Sequence, residues 1–571
     1  MALNAVAKDA QGQVIANVPF AWKSSSDTVA RVADGVVTGL AVGSANITVS
    51  AGGVTSAPVA VNVTQPAGFD LSLSADKLPV ITGTSASLTV NVARKSGFTG
   101  AVSLSLTGLP NGAAASPVTI PAGQNSATVT VSAAANAAHS RPTPVTLTGS
   151  AGGASLTRGL TVTVRGPAGS LDSSFGTDGI SVAPASAGDD YANALLVQPD
   201  GKVIVAGSAP SATTGSDFAV LRFDRDGTPD ATFGTGGTVL VDFAGASDQA
   251  DALALQADGQ IVVVGSASVG GVTVFAATRL NANGTVDPAF GTGGRATVNI
   301  AGDTDRAHAA LVQPDGKIVL GGEANLGSAS SGADFALVRL NANGSLDAGF
   351  GTGGKTTTAL KANSGTDVIR ALVQQGDKIV AVGGDGDFAL ARYTASGALD
   401  ASFGSGGTVK GVFGTSIGTA KAVVVDPSGR LLVAGNSNQD TAIAAFSQNG
   451  ALDAAFGTGG KTVIPLSVGN WDEATALALQ TDGKPVLGGW VYEGNSSSAN
   501  FAVTRLTANG GLDSGFGTGG TTISHVAPGT KSDEARALAL QPDEHIPATR
   551  ILLAGPRSDA NNDFALTRYW P

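Results

Sequence analysis

Carboxylates recur just ahead of apolar runs from residue 169 onward: Asp189 and Asp190, Asp248 and Asp251, Asp303 and Asp305, Asp367, Asp472 and Glu473, Asp533 and Glu534. A ring of carboxylates and backbone carbonyls suits a hard cation such as Ca²⁺. Asp190, Asp251, Asp305 and Asp367 are the residues expected to supply it. The same acids also read as solvated loop ends or as acceptors for loop amides, and no single loop has a recognisable calcium-binding pattern. A second constellation is aromatic. Trp471, Trp490 and Tyr492 lie in one segment with Asp472, Glu473 and Glu493, in a chain where aromatic residues make up only 5%. Aromatic faces stack on sugar C–H groups while acids take the hydroxyls, so these six residues are a candidate glycan patch. The alternative is that Trp490 caps a local apolar core.

Catalytic signals are sparse. The four histidines, His139, His308, His525 and His545, show no metal-ligand spacing, and no Gly-x-Ser-x-Gly elbow joins a strand to a helix. The stretch NANGSLDAGFGTGG (residues 341–354) looks like a phosphate loop, but its core pattern occurs seven times with no helix following. A phosphate loop occurs once, between a strand and a helix. The glycines therefore read as turn residues, with Leu346 and Phe350 expected to plug the core.

The elements that position these residues are strands. The 571 residues include 80 Gly and only 13% charged residues, with short apolar runs separated by Gly, Asn, Asp and Ser. That pattern predicts an all-β protein. The net charge of -11 disfavours nucleic acid, no run of 18 apolar residues predicts a membrane helix, and the absence of Cys excludes disulfides and thiolate metal sites.

Residues 1–64 read as short strands, with a hairpin turn at Asp34-Gly35. Asp9-Ala10-Gln11-Gly12, Trp22-Lys23-Ser24-Ser25, Val29-Ala30-Arg31-Val32, Asp34-Gly35-Val36-Val37 and Gly43-Ser44-Ala45-Asn46-Ile47-Thr48 resemble the bacterial Ig-like group 2 domain (BIG2). The resemblance implies a sandwich with Trp22 in its core. It also implies a strand ahead of AVAKD, so the reading expects a shortened domain with export signals upstream. Gln65-Pro66-Ala67-Gly68 reads as a linker. Residues 69–165 alternate with period two in strands about ten residues apart. Gly97-Phe98-Thr99-Gly100-Ala101-Val102 and Leu109-Pro110-Asn111-Gly112 resemble a second bacterial Ig-like domain. Such modules imply spacers in a secreted protein.

From Gly169 the chain repeats. Gly-x-x-Asp-x-x-Phe-Gly occurs seven times, with its Asp at 172, 230, 287, 347, 400, 453 and 513. Each unit adds phrases like ALVQPDGKIVLGG (310–322) and DFALVRL (334–340). Four strands per unit over seven units predict a seven-bladed β-propeller across 169–571. The phrases together resemble the delta-60 repeat family, which implies a fold and no settled activity. Arg and Asp stand eight residues apart in Arg222/Asp230, Arg279/Asp287, Arg339/Asp347, Arg392/Asp400 and Arg505/Asp513, which predicts ion pairs, ideally bidentate. Unit five has Ala445 in place of Arg, so Asp453 needs another donor, and ring closure would bring Arg568 to Asp172.

The expected fold is all-β, with two Ig-like sandwiches followed by the propeller. The expected function is an exported bacterial cell-surface binding or adhesion protein that holds a glycan or other surface component on its variable-loop face. The alternatives are a polysaccharide-active hydrolase or lyase using channel carboxylates, and a structural unit of a surface layer or fibre.

Overall fold

The structure is a computed structural model. It describes residues 1–63, 68–95, 98–302, 304–325, 332–360, 366–384, 386–415, 417–467, 469–493, 498–527, 532–543, 549–558 and 561–571. Asp303, His545, Gly97 and the linker residues Gln65, Pro66 and Ala67 lie outside them. Among the described residues every regular element is a strand. The chain divides into two compact units, 1–164 and 165–571.

In the first unit, Ala30–Ala33 and Val36–Gly39 form a hairpin through Asp34 (φ 47°) and Gly35 (φ 78°). Both turn residues have positive φ, as a two-residue hairpin with the right twist requires. Ala30, Val37, Ala45 and Ile47 are buried beside it. Trp22 packs against this small core but is only half-buried, not the enclosed centre that the family resemblance implies. Further along, a five-stranded and a four-stranded antiparallel sheet enclose one core built from Phe69, Val90, Val131, Leu147 and Val162. Their strands alternate inward apolar and outward polar residues, because each sheet has one face in water.

The second unit contains seven four-stranded antiparallel sheets. Six are simple meanders, such as Tyr191–Val197, Val203–Ser211, Gly215–Phe223 and Thr238–Val241. Most of the second and third strands are buried, so they read as almost unbroken apolar runs instead of alternating ones. The first strands of successive sheets lie side by side, and Ala537–Pro542 of the last lies beside Tyr191–Val197 of the first, so the series returns on itself. The seventh sheet draws on both ends of the repeat region: Ile180–Ala183 pairs with Asn562–Tyr569. Phe175 and Ala183 share a core with Leu552, Phe564 and Leu566.

Successive sheets are joined by one repeated cluster. Arg339 Nε donates to Asp347 Oδ2 at 2.7 Å, and its NH1 donates to the Ala395 carbonyl of the next sheet at 2.6 Å. Its Cζ lies 4.5 Å from the ring centre of buried Phe350. The same Nε–Oδ2 contact occurs at Arg222/Asp230, Arg279/Asp287, Arg392/Asp400, Arg505/Asp513 and Arg568/Asp172, at 2.7 to 2.9 Å. The arginines bond one carboxylate oxygen and not both, with Arg279 giving Nε and NH2 to the same Asp287 Oδ2, because the turn has engaged the other: Asp347 Oδ1 accepts the Gly349 amide at 3.1 Å. A lysine from the adjoining hairpin also reaches some of these acids, as with Lys317 at Asp347 (3.0 Å). That lysine bond, together with the Gly349 amide and the Arg339 charge, outweighs burial and holds the Asp347 carboxyl below the usual range.

Unit five, where Ala445 replaces the arginine, draws its cation from a different strand. Arg430 stands at the lysine position of the hairpin, and its NH1 lies 3.0 Å from Asp453 Oδ2. Its Cζ is 5.7 Å from the Phe456 ring centre. Leu346 does not plug the core: it is 41% exposed, as its counterparts Leu399, Leu452 and Leu512 also are in large part. Phe350 does the filling, and a glycine of the next unit lies against each such ring: a Cβ at Gly344 (φ +82°) would come within 3.0 Å of the Phe290 ring and 2.7 Å of the Gly291 nitrogen.

Two outcomes are expected. Removing residues 563–571 takes away buried Phe564, Leu566, Tyr569 and Trp570, at about 1.5–3 kcal/mol each; the melting temperature should fall sharply, and an unchanged melt would refute closure by this strand. Arg339→Met leaves the Asp347 carboxylate facing an apolar side chain in a buried cluster and should cost about 3 kcal/mol in chemical denaturation. Arg306→Met, on an exposed side chain, serves as the reference and should cost far less.

Candidate functional site

The recurring acids ahead of the first strands fall into two chemically different groups. Asp190, Asp248, Asp305, Asp367, Asp472 and Asp533 are all buried and accept backbone amides of the loop that enters their sheet. Asp190 Oδ2 takes the Ala185 and Ser186 amides at 2.6 and 2.9 Å, and its Oδ1 takes the Ser186 hydroxyl at 2.7 Å. Asp472 bonds the Leu466 amide at 3.0 Å and the Thr441 amide at 2.6 Å. These residues clamp the connection from the preceding sheet. Where Gly418 stands at this position, Asp387 takes over, accepting the Phe413 and Gly414 amides at 3.0 and 2.6 Å. The carboxylate ring expected from Asp190, Asp251, Asp305 and Asp367 is therefore not assembled: three of its members are engaged in separate loops.

Among the described residues the one group able to offer a cation three ligands is Asp217, Asp242 and Asp248, with carboxylate oxygens within 4.8 Å of one another. This donor set suits a hard cation. Burial, with Asp242 and Asp217 adding to it and two amide bonds opposing it, pushes the Asp248 carboxyl up to about 6.

Asp251 belongs to a different structure. In six sheets the first strand carries a bulge, at Asn193, Asp251, His308, Arg370, Lys421 and Thr475. Arg536 holds the matching place in the seventh, opposite Gly555. A bulge inserts one unpaired residue and redirects its side chain. The residue facing each bulge is glycine because no Cβ fits: at Gly322 it would lie 1.8 Å from the Arg306 carbonyl oxygen.

The first strands are mutual neighbours around the series, so the bulges of successive sheets lie near one another along its inner side. Arg536 NH1 donates to Asn193 Oδ1 at 2.8 Å, Asn193 Nδ2 donates to Asp251 Oδ1 at 3.2 Å, and His308 Nδ1 lies 3.1 Å from Asp251 Oδ2. Lys421 Nζ is 2.9 Å from Glu473, and Arg536 is 3.2 Å from Glu534. Burial lowers the His308 pKa, but its bond to Asp251 and the nearby Glu323 carboxylate prevail and raise it overall.

The aromatic constellation is partly assembled. Trp490 and Tyr492 rings lie 5.1 Å apart at 59°, Tyr492 donates its amide to the Trp471 carbonyl at 3.1 Å, and Trp471 is 37% exposed. Asn500 Nδ2 donates to Glu493 Oε2 at 3.1 Å, and His525 contacts both Asn500 Oδ1 (2.9 Å) and Glu493 Oε2 (3.3 Å). Asp472 is not part of this patch, since it clamps a loop; Glu473 stands opposite Trp490 in the strand pairing and also pairs with Lys421. Apart from Asp251, the bulge residues were not singled out as site residues from sequence, nor were Asn500 and His525. The glycine that ends each second-strand apolar run is the signal that marks the bulges.

An all-β protein of propeller-like repeats is thus on view. Six segments, 198–233, 256–290, 313–350, 375–403, 427–456 and 480–516, match the family described as domain of unknown function (DUF5122) beta-propeller. No curated protein matches. Among solved structures, the S-layer protein SbsC domains 4 and 5 are 24% identical, over 28% of this chain and 80% of that one, with a TM-score of 0.14. SbsC domains 4–9 are 14% identical, over 100% of this chain and 93% of that one, with a TM-score of 0.15. A DUF4784 family protein from Bacteroides caccae ATCC 43185 is 8% identical, over 80% of this chain and 99% of that one, with a TM-score of 0.22. Superpositions this distant carry no argument about function.

The clamp acids set a pH dependence. Asp248 binds its proton more tightly folded, near 6, than unfolded, near 3.8. Its contribution is therefore fully present below pH 3.8 and lost as the pH rises through 6. The motif acids such as Asp347, whose pKa is lowered, act in the opposite sense below 3.8. The melting temperature should rise as pH falls from 7 to 5, and Asp248→Asn should flatten that slope; an identical slope in the variant would contradict the assignment.

Proposed function

We propose that the chain is an exported cell-surface binding protein: a seven-bladed β-propeller over residues 169–571, presented on two Ig-like modules at 1–64 and 69–165, the first of the bacterial group 2 type. The ligand is a glycan, held at the corner formed by Trp471, Trp490 and Tyr492. The observation that supports this most is the Trp490–Tyr492 ring pair beside partly exposed Trp471, next to the Glu493–Asn500–His525 chain. Neighbouring rings offer apolar faces, and the polar chain offers donors and acceptors for hydroxyls. The six-segment family match and the closed series of sheets support the propeller. Binding without turnover is the better reading, because the clamp carboxylates that an enzyme would draw on are already occupied by loop amides.

The test is a glycan array probed with the full chain, followed by calorimetry. Wild type should bind at least one glycan class. Trp490→Ala should weaken it by about tenfold or more, ~1.4 kcal/mol, with the melt little changed. A folded chain that binds no glycan would remove this reading and favour a structural unit of a surface layer or fibre.

A further inference from the structure

The six bulges and the matching place in the seventh sheet present six kinds of side chain around the series: Asn193, Asp251, His308, Arg370, Lys421, Thr475 and Arg536. A glycine faces this place in every sheet, while the side chain displayed there varies. Most of the charges are internally matched. Asp251 meets His308 at 3.1 Å, Lys421 meets Glu473 at 2.9 Å, and Arg536 meets Glu534 at 3.2 Å.

Arg370 is the exception. Among the described residues no carboxylate lies within ion-pair distance of it, and its buried Nε has no hydrogen-bond partner. Its charge does reach His308 and Glu323 at longer range, which places it beside that pair. The neighbouring His308 Nε2 is likewise buried without a hydrogen bond, 3.8 Å from Glu323 Oε1. On neighbouring first strands, the Arg370 Nε thus lacks a hydrogen bond and the His308 Nε2, a donor when the ring is protonated, is held only loosely by Glu323. A buried polar group without a partner is costly, and a guanidinium more so.

We propose that the channel is a binding site for a small monocarboxylate, with the Arg370 guanidinium taking the carboxylate through its planar fork and the His308 edge completing the site. A guanidinium and a carboxylate match in plane and spacing. The single charge follows from the local balance: one cation in the ring lacks a close partner, while Asp251, Glu323, Glu473 and Glu534 surround the channel and would repel a dianion. This site is separate from the aromatic corner and does not depend on the glycan reading.

The experiment is calorimetry on the full chain with acetate and D-glucuronate, with glucose as the neutral control and inorganic phosphate as the dianionic one. Both carboxylates should bind, glucose should not, and phosphate should bind more weakly. Arg370→Gln should weaken carboxylate binding at least tenfold, and Arg370→Lys, which keeps the charge without the fork, should fall between. Trp490→Ala should leave it unchanged, which separates this site from the aromatic corner. Three results would overturn the proposal: no carboxylate binding by folded wild type, phosphate binding more tightly than either carboxylate, or binding that survives in both folded Arg370 variants. If Arg370→Gln does not fold, Arg370→Lys and His308→Gln decide it, each with a weakened affinity expected.

Discussion

The repeat region depends on a guanidinium that is satisfied from three directions. In each cluster a carboxylate oxygen takes the arginine Nε, a phenylalanine ring covers its face, and in most clusters a carbonyl of the following sheet accepts its NH1. A buried ion pair alone is weak support for stability, because desolvation offsets the attraction. Here most of the clusters also bond a second donor, which helps a buried charge to be tolerated. The bond to the next sheet has a further consequence: the cluster that anchors the connector within one sheet also fixes the distance to its neighbour. Orientation within a sheet and spacing between sheets are then one constraint, repeated around the series. Arg568 extends it across the two ends of the region by reaching Asp172 and the Arg225 carbonyl.

Unit five shows that the constraint is on the cluster and not on any residue position. Ala445 removes the usual cation, and Arg430 restores the contact to Asp453 and to the Phe456 face from the adjoining hairpin, where lysine stands in several other units. The clamp acids follow the same logic, with Asp387 bonding loop amides where Gly418 stands at the clamp position. In both cases a charge or acceptor is supplied to a fixed point in space from whichever strand passes near it.

These substitutions explain what the sequence could reveal. The period, the strand count and the Arg–Asp partnership were legible because each is local: Arg339 and Asp347 are eight residues apart across one turn. The bidentate geometry was not, since it depended on whether the turn amide of Gly349 had already claimed the second oxygen. Leu346 was misjudged because an apolar residue in a Gly-rich turn reads as core, whereas Phe350 alone fills the space there. The clamp acids were harder still. Asp190 and Asp251 look alike in sequence, each an acid at the start of an apolar run, yet one is enclosed by amides and the other projects from a bulge. The difference is a shift of register, which period-two reading does not resolve. The aromatic corner was half legible for the same reason: Trp490, Tyr492 and Glu473 share a strand face, while Asp472 is turned to the other side and clamps a loop.

The two kinds of repeated acid therefore divide the labour of the variable-loop side. Clamp aspartates use their oxygens to hold loop backbone, which leaves them little capacity to meet a ligand. Bulge residues have the opposite character: their backbone is fixed by an opposing glycine, so the side chain can differ in every sheet without disturbing the ladder. A closed series with rigid joints and seven independently chosen side chains can assemble an asymmetric polar site from a symmetric frame. The separation also explains why the chain can carry a net charge of -11 and still present Arg370, Lys421 and Arg536 in its channel. The acids that set the overall charge are spent largely on loops and joints, and the local charge of the channel is decided by the bulge positions and the few carboxylates beside them.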